Sequence, residues 1–245
     1  MELYTVIVDG EERQYEAGTT YQQIAEEFQD RYENDIVLVF ADGKLRELRK
    51  KVKRNCAISF VTTSEEIGIQ TYRRSMCLML VKAVHDVGGQ DQVKKVRIHY
   101  SVSKGYYCTV EGTLKLDQAF LDQVERYMKS MVEQRMPIQK RSISTDNAVD
   151  LFEKYGMTDK AKLFEYRRSS SVNIYCMNEF EDYYYGYMVP DAGYLKYFKL
   201  YLLEEGFVLQ MPEASSPKKV PDFAPQMKLF QVLKESTRWG DMQNI

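Results

Sequence analysis

The chain has 245 residues, 44% of them hydrophobic and 29% charged, which is ample for a packed core and suits about two domains. Its net charge of −2 excludes a global field favouring nucleic acid, so any polyanion contact needs a local patch. No apolar run reaches the length of a membrane span, and the first residues alternate and carry acids, unlike a secretory leader; the expected setting is the cytoplasm, with no membrane partner.

Residues 3–8 alternate and end at Asp9-Gly10, a hairpin signal, with the return strand at 11–15. Gly18-Thr19-Thr20 offers an N-cap to a short helix over 21–28, whose Ile24, Ala25 and Phe28 face inward. Residues 36–41 read as a buried strand turned at Asp42-Gly43, and 57–62 as another. Between them lies the run KLRELRKKVKR, in which Lys44, Arg46, Arg49, Lys50, Lys51, Lys53 and Arg54 face a single acid. Clustered cations can contact RNA or a phosphate backbone by releasing counterions. The same run can also be a solvated sheet edge guarded by charge, and no aromatic residue interrupts it to stack on bases.

After a connector at 64–68, residues 69–84 (IQTYRRSMCLMLVKAV) read as a helix with a broad apolar face. Strands are expected at 96–102 and 105–110, a helix at 117–134, a strand at 137–144, then helices at 144–156 and 159–164. Next come a strand at 172–177, a Tyr-rich loop closed by Val189-Pro190, and strands at 197–203 and 206–211. Pro212, Pro217, Pro221 and Pro225 mark a linker, after which 226–237 resume helical spacing with Met227, Phe230 and Leu233. That helix either docks back on the preceding elements or leads into a further domain.

Catalytic constellations are sparse. Cys56, Cys77, Cys108 and Cys176 form no CxxC pair and read as free buried thiols. His85 and His99 are the two histidines, without a nucleophile elbow, and neither GxxxxGK[ST] nor GxGxxG occurs. Ser169-Ser170-Ser171 reads as a loop, and Glu179, Glu181 and Asp182 as a solvated turn.

The order hairpin, helix, strands over 2–63 resembles the TGS domain, a β-grasp unit found at the amino end of threonyl-tRNA synthetases. The chain from 64 to 212 resembles the second additional domain of those synthetases, an α+β editing domain shared with alanyl-tRNA synthetase. Three stretches carry this: Arg73-Arg74-Ser75 where that family reads Arg-His-Ser, Gly105-Tyr106-Tyr107 where it reads Gly-Phe-Tyr, and DYYYGYMVP from Asp182 to Pro190. The fold class implied is α+β, with a β-grasp domain at 1–63, an editing-like domain at 64–212 and a linker plus helix at 213–245. By that resemblance, two His four residues apart on the helix, with a Cys and a His from the later loop, would bind a metal or position water. The matching positions here are Arg74, Leu78, Tyr184 and Met188, none of which serves that chemistry. No metal, and no cofactor of this chain, is therefore expected. Two readings stay open: Leu78 and Met188 fill the vacated pocket, or Arg73, Arg74, Tyr106, Tyr107, Tyr184 and Tyr185 line a cleft for a nucleotide or RNA end. A TGS-like unit joined to a degenerate editing-like unit also resembles the amino-terminal half of bacterial uridine-kinase-like proteins. That resemblance implies a P-loop kinase domain in cis using ATP and magnesium, and a regulatory module binding tRNA, another RNA or a nucleoside or nucleotide. An editing hydrolase and a purely structural or dimerisation module are the alternatives.

Overall fold

The computed structural model describes residues 2–154, 162, 164 and 170–243. The first hairpin pairs β1 (Leu3–Val8) with β2 (Glu11–Glu16) in register Val8 to Glu11. Its turn places Asp9 at φ 50° and Gly10 at φ 86°, the left-handed pair that a two-residue hairpin requires. Helix α1 (Tyr21–Phe28) starts on a capping box, in which the Thr20 hydroxyl accepts from Gln23 N and the Gln23 side chain accepts from Thr20 N. It buries Tyr21, Ile24, Ala25 and Phe28; full burial of Ile24 and Phe28 contributes about 1.5–3 kcal/mol each.

β3 (Ile36–Ala41), β4 (Lys44–Glu47) and β5 (Cys56–Thr62) complete a mixed sheet ordered β2-β1-β5-β3-β4, with β1 and β5 parallel at its centre. That is the order of a β-grasp sheet. β3 reads IVLVFA without alternation because both its faces are covered: Ile36 and Val39 join α1, while Val37 and Leu38 join the larger core beyond. β4 is the sheet edge and opens the basic run; its charged sequence hid a strand that lies where β3 can pair with it.

Helix α2 (Glu66–Gly88) is longer at both ends than the apolar stripe over 69–84 suggests. Gly68 lets its first turn press on β5, since a Cβ there would meet Thr62 O at 2.0 Å. Met76, Leu78, Met79, Leu80, Ala83 and Val84 lie fully buried in one core with Val37, Leu38 and Val61 of the first sheet. Around it stand β6 (Val93–Val102), β7 (Gly105–Gly112), α3 (Gln118–Glu133), β8 (Gln139–Ser144), α4 (Thr145–Lys154), β9 (Ser171–Met177) and β10 (Phe180–Tyr183). β11 (Lys199–Leu203), β12 (Gly206–Gln210) and α5 (Met227–Gln243) complete the series. The strands form a four-stranded sheet, β11-β12-β7-β6, and a three-stranded one, β10-β9-β8. The architecture is α+β, as the sequence implies. The helix expected over 159–164 falls mostly outside the described residues, and β10 is a strand that the acidic stretch before the Tyr-rich loop concealed. No helix among the described residues is long and apolar enough to cross a membrane.

Candidate functional site: a closed pocket and an open basic hollow

Residues 184–189 lie directly on α2. Arg74 Nη1 donates to Tyr187 O at 2.7 Å, and Val189 N donates to Ser75 Oγ at 3.0 Å, while Ser75 donates to Thr71 O. Gly186, at φ 118°, is needed there: a Cβ would come within 2.6 Å of the Arg74 guanidinium carbon. Leu78 and Met188 are both fully buried in the main core, and Tyr184 packs against it. Burial drives the Tyr184 phenol well above its ordinary pKa, so it stays protonated. Cys77 is pushed up to about 12 and Cys176 to about 11 by burial, so neither supplies a thiolate near neutral pH. Burial likewise lowers the pKa of His85, whose ring lies 5.9 Å from that of Phe180.

The structure does not bring the six cleft residues together. Tyr106 and Tyr107 are consecutive on β7 and point to opposite faces, as the strand period dictates. Tyr106 packs on the main core near Arg73. Tyr107, 3% exposed, lies on the outer face with Val102, Val208 and Phe230. Tyr185 is 83% exposed. Arg73 and Arg74 both stand close enough to Tyr106 to act on its phenol, but each is engaged with a carbonyl: Arg73 Nη2 donates to Pro212 O at 2.9 Å and Arg74 Nη1 to Tyr187 O. No cluster of three metal-type side chains occurs among the described residues.

The basic run divides in two. Glu47, 2% exposed, accepts from Arg49 Nη2 at 2.7 Å, from the Tyr175 hydroxyl at 2.7 Å and from Met188 N at 3.2 Å, with Lys140 Nζ at 3.6 Å. Burial pushes its carboxyl up, but Arg49, Tyr175 and Lys140 outweigh burial and hold it below the ordinary range. Arg49 also donates to Ile138 O at 2.7 Å. It therefore belongs to the junction between the first sheet and the rest of the chain, not to a free patch. Glu47 itself escaped the sequence reading; its one signal was an acid alone among cations, between Leu45 and Leu48.

The remaining cations line a hollow of about 470 Å3: Lys44, Arg46, Lys50, Lys51, Lys53 and Arg54, together with Tyr21, Ala41, Asp42 and Cys56. Leu48 and Val52 are buried anchors, and three backbone bonds tie this segment to the start of α1: Tyr21 N to Lys50 O at 2.9 Å, Gln22 N to Leu48 O at 2.8 Å and Val52 N to Thr19 O at 2.8 Å. The segment is thus a rigid ledge from which lysines project. Arg54 is paired with Asp42 at 2.9 Å on the surface.

No protein-family model matches the chain. It is 31% identical over 201 residues to the threonine–tRNA ligase of Thermotoga neapolitana, across 82% of this chain and 30% of that protein. The threonine–tRNA ligase of Thermotoga petrophila is 29% identical over the same shares, and that of an Exiguobacterium species is 26% identical over 193 residues. The chain is homologous to the N-terminal region of these ligases and spans about 30% of the length of the curated relatives it matches.

Proposed function

We propose that the chain is a non-hydrolytic module that binds RNA, tRNA foremost, through the basic hollow. The observation that carries this reading is the convergence of Lys44, Arg46, Lys50, Lys51, Lys53 and Arg54 on one concavity of a chain whose net charge is −2. Such a surface takes up phosphates without reading base edges. The relatives are named for tRNA, which supports that polymer over other polyanions. The editing-type positions support binding without hydrolysis. Leu78 and Met188 are apolar and buried where ligands would stand, and Arg74 is engaged with a carbonyl.

Anisotropy of labelled tRNA against the full chain tests the reading. Saturable binding is expected, falling at least tenfold when Lys50, Lys51 and Lys53 are changed together to Glu. Equal affinity of that variant would overturn it. Deacylation of mischarged threonyl-tRNA is expected to match the buffer control.

We propose further that the module regulates a P-loop nucleoside kinase of the uridine-kinase type in cis, with ATP and magnesium belonging to that domain. The joined β-grasp and closed editing-like units support this arrangement. A GxxxxGK[ST] loop encoded within about a hundred residues after Ile245 is expected, and its absence there contradicts it. One observation favours a docking or dimerisation role instead: Leu229, Val232 and Trp239 are exposed on α5. Light scattering of the full chain distinguishes that reading.

A further inference from the structure

The terminal helix has two faces, and the fold uses one of them. α5 covers the outer face of the four-stranded sheet through Phe230, the one buried side chain described on it, which packs with Val102, Tyr107, Leu203 and Val208. Bonds from Gln231 and Lys234 to Glu204 and Glu205 add the other ties. Successive residues of a helix turn by about 100°, so Leu229, Val232, Ser236 and Trp239 stand in one stripe on the side away from Phe230. Leu229 is 51% exposed, and Val232 and Trp239 are each 62% exposed. Their spacing of three, four and three residues is that of a seam between two helices. Single exposed apolar residues are ordinary, but a stripe of them along a helix marks a contact surface.

The charges beside the stripe indicate what covers it. Lys228 and Glu235, two turns apart, flank it on one side, and both are exposed. Among the described residues neither has an ion-pair partner, whereas Lys234 is engaged with Glu204 and Glu205. One positive and one negative charge on the same flank favour neither an acidic nor a basic partner. They complement the same pair turned end for end. In a parallel pair of helices Lys228 would face Lys228, and Glu235 would face Glu235. In an antiparallel pair each Lys228 faces the Glu235 of the other copy, about an axis between Gln231 and Val232. That axis sets Val232 at the centre of the contact with Leu229 beside it. It also carries Trp239 of each copy onto the Ala224-Pro225 stretch of the other.

We propose that α5 joins two copies of this chain, antiparallel, through Leu229, Val232 and Trp239, in the register that pairs Lys228 with Glu235. This specifies the dimerisation reading of α5 and is independent of RNA binding by the basic hollow. A helix of 17 residues is about 25 Å long, so the seam falls short of the roughly 800 Å2 per partner of a standard interface. The dimer is therefore weak and dissociates on dilution.

Sedimentation of the full chain from about 5 to 500 μM, with Trp239 emission read alongside, tests this. Trp239 is the one tryptophan and lies in the seam. The mass should climb from one chain towards two as Trp239 emission shifts to the blue. Lys228→Glu and Glu235→Lys each set like charges face to face, so each should weaken association at least about fivefold. Neither should change the melting temperature, because both positions are exposed. Mixed in equal amounts, the two variants restore both ion pairs between copies and should associate as the wild type does. Changing Lys50, Lys51 and Lys53 together to Glu should leave association unchanged while weakening tRNA binding. The proposal is overturned by a single-chain mass across the whole range, by unchanged association of the two single variants, or by a mixture that associates no better than either variant alone.

Discussion

Glu47 fixes where the basic ledge stands. It is a buried carboxylate that holds Arg49 beside it, Tyr175 from β9 and the backbone of Met188 from the loop on α2. Removing one partner of such a cluster leaves charges buried and unpaired, so Glu47→Ala should lose about 3–5 kcal/mol in urea unfolding. The pH dependence has a definite sign. Because the folded carboxyl is held below its unfolded value, the stabilisation is complete above the ordinary glutamate range and disappears as acid protonates it. Stability of the wild type should therefore fall on acidification more steeply than that of Glu47→Gln, as unfolding curves at neutral and acid pH can measure. At this scale the sequence was half legible. Leu78 and Met188 were visible as apolar replacements, and they are buried. Arg49 was indistinguishable from its neighbours, because spacing alone does not tell which cation of a run meets a buried acid.

Among the elements, α2 and α5 are opposites. α2 is buried along most of its length, and Leu78 has no exposed surface. Leu78→Ala should cost about 2–5 kcal/mol. Leu78→His should also destabilise, by setting an imidazole in an apolar site, and should not restore hydrolysis of mischarged tRNA. α5 rests on Phe230, so its amides should exchange hydrogen orders of magnitude faster than those of α2 in native conditions. Protection equal to that of α2 would show that the cover is part of the core. The amphipathic spacing of α5 was legible, and so was its need for a surface; which surface was not, since the sheet face it covers is assembled from β6, β7 and β12. The divergence of Tyr106 and Tyr107 follows from strand alternation alone. Two adjacent residues of a strand cannot line one cleft.

For the whole molecule, the turns carried most of the legible information. Asp9-Gly10 and Asp42-Gly43 both adopt the left-handed pairs their sequences announce, and the helix and strands between them fall where periodicity puts them. β4 and β10 stayed hidden because an edge strand rich in charge has no apolar face to alternate. The continuity of the main core with Val37, Leu38 and Val61 of the first sheet also lay outside local pattern, being a contact between segments far apart in sequence. That continuity seats the basic ledge rigidly against the rest of the chain, which is what a surface holding several phosphates at once requires. The central claim is RNA binding by that ledge, and its most direct measurement is the affinity of the full chain for tRNA as salt is raised. With four to six phosphates neutralised, log affinity should fall against log salt with a slope of about −3 to −5, and changing Lys50, Lys51 and Lys53 to Glu should flatten it by about two to three. A slope near zero, or one unchanged in the triple variant, would contradict the account.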